Sequence, residues 1–88
     1  MTIELDGRLM TDKAAAHDHL QAQLRLPAYY GRNLDALYDL LTETAEPTTV
    51  ILRYADQMQQ QMGAYGAALL VTLRQAEENT PNLSLEIY

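Results

Sequence analysis

The spacing of apolar residues changes along the chain, and each change predicts an element of secondary structure. Thr2–Leu5 alternates between polar and apolar positions, as a strand does, and Asp6-Gly7 after it is a turn signal. A run of strong helix formers over Lys13–Leu24 predicts a first helix, with Thr11 or Asp12 as its cap. The chain therefore opens with a strand and a helix.

The rest of the chain continues this succession of helices and strands. Asn33 is a typical N-cap residue, and Gly31 before it is a candidate for a positive φ angle. Thr48–Tyr54 combines β-branched residues with a continuous apolar centre, which predicts a buried middle strand of a parallel sheet. The other predicted elements are helices over Leu34–Thr44, Ala55–Met62 and Ala67–Glu78 and a last strand over Leu83–Tyr88, with Gly63 and Gly66 interrupting the chain before the longest helix.

The predicted order of elements is β-α-α-β-α-α-β. Strands that are joined by helical crossovers lie parallel, and such crossovers are right-handed. With only three strands, we expect the helices to cover one face of the sheet, which gives a two-layer α/β fold. A length of 88 residues fits one domain, so we predict a single domain over residues 1–88.

The second predicted helix, Leu34–Thr44, separates apolar from acidic side chains. At 100° per residue, its apolar stripe consists of Leu34, Leu37, Leu40 and Leu41. Three acids spaced four residues apart, Asp35, Asp39 and Glu43, lie on the opposite side. Like charges stacked in this way cost roughly 0.2–0.5 kcal/mol per pair. Residues 34–51 contain no Lys or Arg that could offset this cost.

The composition of the chain adds to the picture. Six Lys and Arg oppose twelve Asp and Glu, so the net charge is −6. Such a charge can serve solubility alone, but it disfavours nucleic acids and anionic membranes as partners and favours cationic proteins. Tyr29 and Tyr30 precede the acidic helix and Tyr38 borders its acids, and tyrosine beside charge is typical of a protein-binding hot spot. We therefore expect this helix to bind a basic protein, with one of Tyr29 and Tyr30 in the core.

No residue pattern indicates catalysis, a metal site or a cofactor. His17 and His19 are two residues apart on a predicted helix, so they point in different directions; we expect one to be partly buried and the other exposed. The chain has no cysteine, and its one serine, Ser84, has no histidine near it in the sequence. Its first residues lack the features of a signal peptide, and no apolar run could cross a membrane, so we expect a cytoplasmic protein.

The segment Leu24–Thr42 carries the longest motif of the chain. Its pattern L-P-x-Y-Y-G-x-N-L-D-A-L-x-D closely resembles the core motif of the barstar-like family, intracellular inhibitors of secreted microbial ribonucleases. The likeness extends over the whole chain, including the helix of His17, the strand after Pro47 and the final strand. It implies a barstar-like fold, in which a three-stranded parallel sheet of order 1-2-3 is covered by helices.

The resemblance also implies roles for residues of the acidic helix and of the loop before it. Asp39 would enter the pocket in which a ribonuclease holds an RNA phosphate, and Asp35 would pair with a cation at the edge of that pocket. Tyr29 would stack on the catalytic histidine of the ribonuclease. The residues expected around them are Asn33, Tyr38 and Thr42.

The rim of this surface departs from the family pattern. Glu43 and Thr44 stand where the well-known inhibitor has Gly-Trp, and Tyr38 stands in place of a tryptophan. In the last helix, Gln75 replaces an acidic contact residue. These changes remove an aromatic contact, add one negative charge and weaken a second acidic patch. We expect Glu43, Thr44 and Gln75 to belong to the partner-binding surface and either to redirect it to another partner or to weaken it.

Two functional hypotheses follow from the sequence. The first is a cytoplasmic protein inhibitor of a basic ribonuclease or nuclease toxin, which is a monomer when free and blocks the active site with an acidic helix that imitates RNA phosphates. Such a protein could serve as the immunity protein of a toxin. The second is an acidic binding module of the same fold that engages a basic partner other than a nuclease. Neither hypothesis involves catalysis, nucleic acid, a membrane, a metal or a cofactor.

Overall fold

A computed structural model describes all 88 residues of the protein, Met1–Tyr88. Its strands are β1 (Thr2–Asp6), β2 (Thr48–Arg53) and β3 (Leu83–Ile87), and its helices are α1 (Lys13–Leu24), α2 (Leu34–Thr42), α3 (Ala55–Met62) and α4 (Ala64–Glu78). A short 3-10 helix, Gly7–Leu9, follows β1. The predicted order of strands and helices is confirmed.

The three strands form one parallel sheet in the order β1-β2-β3. Val50 in the central strand is aligned with Ile3 on one side and with Leu85 on the other. The parallel pairing, the strand order and the two-layer α/β fold are therefore as predicted.

Burial alternates along the strands, so one face of the sheet is covered and the other is open. On the covered face, the buried residues are Ile3, Leu5, Thr48, Val50, Leu52 and Leu83. On the open face, half-buried Ile51 lies between exposed Glu4 and Glu86. The expectation of a middle strand was right in position, but β2 is buried on one face only, because a layer of helices covers just that face.

The helices supply the other half of the hydrophobic core. Sixteen buried apolar residues form one cluster, to which the helices contribute Ala16, Leu20, Leu37, Leu41, Ala55, Met58, Leu69, Leu73 and Ala76. α2 packs against α4, and α4 also packs against α3 and β3. This arrangement fixes α2 on the outside of the helical layer with its leucines turned inward.

Of the two glycines predicted to interrupt the chain before α4, one behaves as predicted and the other does not. Gly63 has a φ of 58° and makes the break before α4, but Gly66 lies inside α4, which begins at Ala64 rather than Ala67. A Cβ atom on Gly66 would lie 3.0 Å from the Cα atom of Gln59 in α3. Gly66 therefore serves the close packing of two helices and does not interrupt one.

The prediction of a positive φ angle at Gly31 was wrong. The left-handed residue of this loop is its neighbour Arg32, with a φ of 56°. Arg32 is held there by side-chain contacts that the local sequence does not reveal, as described below. The helix that follows begins at Leu34 as predicted but ends at Thr42, two residues earlier than expected.

Side chains form hydrogen bonds with backbone groups at both edges of the sheet. On β1, His19 Nε2 accepts a hydrogen bond from the Asp6 backbone N–H at 2.9 Å, and the Gln23 side chain donates to the Glu4 carbonyl. On β3, the Glu77 carboxylate accepts from the Leu85 N–H at 2.6 Å. Three of the backbone groups that a neighbouring strand could otherwise pair with are thus already bonded within the chain.

Candidate protein-binding site

Helix α2 is held in place at both its start and its inner side. The Asn33 side chain caps it by accepting a hydrogen bond from the Ala36 N–H at 2.7 Å, as predicted from the sequence. Leu37 and Leu41 are buried, and Leu34 and Leu40 pack against the core from partly buried positions. The predicted apolar stripe therefore faces the core, which leaves the opposite side of the helix free.

That outer side carries the three predicted acids, Asp35, Asp39 and Glu43, all of which are exposed. The ion pairs of the molecule join Arg8 to Asp6, Arg32 to Asp18 and Arg53 to Glu4. None of them involves an acid of α2. The negative charge of this surface is therefore not neutralised within the chain and is available to a cationic partner.

Asp39 of α2 and Glu43, directly after the helix, meet the preceding loop at a small open pocket of about 200 Å³. Its walls are Tyr29, Tyr30, Gly31, Ala36, Asp39, Leu40 and Glu43. Tyr29 is 80% exposed, and two acidic residues, Asp39 and Glu43, also line the pocket. Small-molecule pockets usually measure about 300–1,000 Å³, so this notch fits a single protruding side chain better than a separate ligand. We refer to it as the Tyr29 notch.

The structure brings together the predicted contact residues Tyr29, Asp39 and Glu43 at this notch. Asp35 lies one turn before Asp39 on the same exposed side of α2, since residues four apart are neighbours on a helix. Sequence reasoning treated Glu43 as part of the rim, but the structure places it on the wall of the notch. A cation that enters here would meet two carboxylates and the Tyr29 ring.

Tyr38 lies on the seam between α2 and α4. Its hydroxyl accepts a hydrogen bond of 2.9 Å from the Asn79 side-chain amide, which also donates to the Gln75 carbonyl at 3.0 Å. Gln75, the predicted contact residue of α4, is exposed one turn before Asn79. The sequence pattern gives no sign that Asn79 holds Tyr38, because the two residues are 41 positions apart.

Two other predicted contact residues, Thr42 and Thr44, use their hydroxyl groups in hydrogen bonds to the backbone of α2. Thr42 donates to the carbonyls of Tyr38 and Asp39, and Thr44 donates to the carbonyl of Leu41 at 2.7 Å. Thr44 also lines a separate, mostly apolar pocket under the end of α2. Thr42 and Thr44 lie at and just after the C-terminal end of α2, and their hydroxyl groups donate hydrogen bonds to carbonyl groups of the helix.

A buried histidine anchors the loop that carries Tyr29. His17 Nδ1 lies 2.7 Å from the Tyr30 hydroxyl, and its Nε2 lies 2.6 Å from the hydroxyl of Tyr65 in α4. Tyr30 is buried, which confirms that one tyrosine of the pair belongs to the core, and burial raises its pKa to about 12. The loop is thus fixed to two helices through one imidazole ring.

The expectation for the two histidines was wrong in detail. His17 is fully buried and His19 is half-buried, because one bridges two tyrosines and the other caps the edge of β1. The structure contains no group of three or more His, Cys, Asp or Glu residues that could hold a metal ion. No helix is both long enough and apolar enough to span a membrane.

We expect the protein to lose stability as the pH falls below 7. Burial lowers the pKa of His17 below its usual 6.5, helped by the charges of Arg32 and Lys13 and opposed by Asp18. Burial also lowers the pKa of His19, which Asp6 partly opposes. The unfolded chain therefore binds protons at a higher pH than the folded one, and stability that is full above pH 6.5 declines as the pH falls through the folded pKa values.

Urea denaturation at several pH values between 7.5 and 5 measures this decline. His19→Gln is the matched variant, because glutamine retains an acceptor for the Asp6 N–H but does not titrate. Its free energy of unfolding should depend less steeply on pH than that of the wild type. An equal slope in both proteins would show that His19 does not contribute.

Two comparisons with known proteins find a match over most or nearly all of the chain. A family model described as "Barstar (barnase inhibitor)" matches residues 1–87 of the chain. A protein of Bacillus subtilis (strain 168), named "Putative ribonuclease inhibitor YrdF", is 38% identical over 77 residues. That similarity covers 86% of this chain and 85% of the Bacillus protein. The match therefore extends over nearly the whole molecule, including α2 and the loop before it.

Proposed function

This chain belongs to the barstar family, and we propose that it is a non-catalytic inhibitor of a ribonuclease. The inhibitor would place the outer side of α2 and the Tyr29 notch in the active site of the enzyme. Family membership supports the class of partner. The uncompensated acids of α2 and the exposed Tyr29 support the surface that binds it.

The observation that carries this proposal is that the exposed carboxylates of α2 form no ion pair within the chain. A ribonuclease must present positively charged side chains in its active site, because its substrate is a chain of phosphates. Asp35 and Asp39 would satisfy these cations as phosphates do, but they offer no bond that the enzyme can cleave. Long-range attraction between the two surfaces would also speed their association.

The surroundings of the acid pair would determine which ribonuclease is bound. Glu43 adds a carboxylate to the Tyr29 notch, and the Thr44 hydroxyl is bonded to the end of α2. Tyr38 is bonded to Asn79 at the end of α4, and Asn79 is one turn after Gln75, whose exposed side chain is neutral. We infer a partner whose cations concentrate around the notch, with little charge opposite α4.

The proposal also includes the cellular compartment and the oligomeric state of the inhibitor. An inhibitor of this kind acts in the cytoplasm as a monomer and protects the cell that makes it against a secreted ribonuclease or a nuclease toxin. A chain without cysteine suits such a reducing compartment. A single exposed surface on α2 suits a complex of one inhibitor with one enzyme.

The test is an RNA-cleavage assay with a panel of purified basic ribonucleases, barnase among them. We expect inhibition of at least one enzyme at a one-to-one ratio, and weaker binding when the salt concentration rises from 50 to 500 mM, because salt screens the attraction. Binding to basic proteins without inhibition of any ribonuclease would favour the alternative, a binding module for a basic partner that is not a nuclease. Equal binding at both salt concentrations would contradict the electrostatic mechanism.

A further inference from the structure

Arg32 is the residue of the binding loop whose backbone has the least favourable conformation. Its φ of 56° lies in the left-handed region, which a side chain with a Cβ atom adopts at a cost. Glycine would avoid this cost, and the family motif leaves the position between Gly31 and Asn33 unspecified. Interactions elsewhere must therefore hold the residue in this conformation.

Those interactions are hydrogen bonds from the Arg32 side chain to helix α1. One guanidinium nitrogen donates to the Gln21 side chain at 3.2 Å, and the other donates to the Ala14 carbonyl at 3.2 Å and to the Asp18 carboxylate at 2.6 Å. The three acceptors span two turns of α1. A flat guanidinium group can reach all of them at once, whereas a lysine ammonium could not do so in the same geometry.

Gln21 extends this attachment to the other end of the loop. While its side-chain oxygen accepts from Arg32, its side-chain nitrogen donates to the Pro27 carbonyl at 3.1 Å. The backbone carbonyl of Gln21 also accepts a hydrogen bond from the Leu26 N–H. The loop from Pro27 to Arg32, which presents Tyr29, is therefore fastened to α1 at both of its ends.

The bonds to α1 also determine the position of the Arg32 charge relative to the acids of α2. Arg32 comes only three residues before Asp35, yet its charge is paired with Asp18 on α1. An arginine that was free at this position could turn toward the acids of α2 and neutralise part of the surface that the partner needs. The bonds to α1 keep it away from them.

We propose that Arg32 is a positioning residue for the binding surface. It clamps to helix α1 the loop that carries Tyr29 and leads into the Asn33 cap of α2, and it keeps its own charge away from the acids of α2. Arg32 does not contact the partner in this role; it reduces the loss of loop motion on binding, so that the complex dissociates more slowly. This role rests on the proposed function, but the clamp itself can be tested without a partner.

The chain contains a closely matched control for Arg32. Arg25 is also an arginine in the left-handed region, with a φ of 53°, and its side chain makes no hydrogen bond or ion pair. Arg25→Gly and Arg32→Gly relieve the same backbone cost and remove the same charge. Only the second variant removes the bonds to α1.

The first measurement is amide hydrogen exchange in the free protein. We expect Arg32→Gly to speed the exchange of the Tyr30 and Ala36 amides by about tenfold or more through local opening, while its Tm stays equal to or above that of the wild type. Arg25→Gly should leave both amides unchanged. Since Arg32→Lys retains the charge but not the fork of donors, it should restore only part of the protection. Wild-type exchange rates in Arg32→Gly would overturn the proposal.

The second measurement is binding kinetics with a ribonuclease that the wild type inhibits. Both glycine variants are more negative than the wild type by one charge, so both should associate at least as fast as the wild type does. Only Arg32→Gly should dissociate faster, by about tenfold, because its loop must be ordered on binding. Equal dissociation rates for the two variants would overturn the role in binding. If the wild type inhibits no ribonuclease, the proposed function fails, and hydrogen exchange alone decides whether Arg32 clamps the loop.

Discussion

Replacing Asp39 by alanine should weaken binding to the partner ribonuclease by at least about 100-fold, and it should leave the stability of the inhibitor nearly unchanged. Asp39 is exposed in the free protein, forms no ion pair there and lines the Tyr29 notch. In the complex its carboxylate would be surrounded by cations of the enzyme. Removing it leaves those cations buried without a partner, which costs far more than the loss of a surface charge.

Titration calorimetry or surface plasmon resonance measures this effect, and Asp56→Ala is its control. Asp56 is an exposed acid in the first turn of α3 and makes no ion pair, so its removal changes the net charge equally. We expect Asp56→Ala to bind almost as tightly as the wild type. Binding by Asp39→Ala should also depend less on salt concentration. Undiminished inhibition by Asp39→Ala would rule out the proposed mechanism.

Replacing Leu37 by alanine should lower the free energy of unfolding by about 3 kcal/mol, within the range for a leucine removed from a packed core. Leu37 is completely buried on the inner side of α2. A domain of this size has a modest core, and unfolding such domains costs only about 5–15 kcal/mol in total. The variant should therefore unfold at a markedly lower urea concentration with an unchanged m value.

Urea denaturation followed by circular dichroism checks this prediction. Leu9→Ala makes the same chemical change at a residue that is 56% exposed, so its effect should stay within about 0.5 kcal/mol. If Leu37→Ala cost no more than Leu9→Ala, the packing of α2 against the core would be wrong.

The two principal variants separate the roles of the two sides of one helix. Asp39 and Leu37 are two residues apart and point in opposite directions. At temperatures where both variants are folded, Asp39→Ala should lose binding with unchanged stability. Leu37→Ala should lose stability and, once folded, bind normally. This division follows from a helix that turns one side to the core and leaves the other exposed, where we propose that the partner binds.

The sequence predicted the fold well where local chemistry determines the structure. Alternation over Thr2–Leu5, the cap at Asn33 and the leucine spacing of α2 all act between close neighbours in the chain, and the structure has each of them. The parallel sheet followed from strands that are connected by helices. The identity of the partner class, by contrast, came from the resemblance of Leu24–Thr42 to the barstar-like motif and not from charge alone.

The sequence could not predict features that depend on contacts between distant segments. The local pattern predicts an interruption at Gly66, because the contact of Gly66 with Gln59 appears only when α3 and α4 pack together. The burial of His17 depends on Tyr65, which lies 48 residues away. The left-handed conformation of Arg32 depends on acceptors in α1 that are more than ten residues distant. In each case tertiary packing overrides the local preference.

An inhibitor that acts by occupying an active site works one molecule for one molecule, so a cell must keep it at a concentration that matches its target. High concentration favours aggregation of proteins whose strand edges are free to pair with another copy. In this protein, His19, Gln23 and Glu77 occupy backbone groups along the two edge strands. These three hydrogen bonds leave fewer free backbone groups at the sheet edges and so oppose aggregation at high concentration, while the acidic side of α2 stays exposed for the binding that we propose.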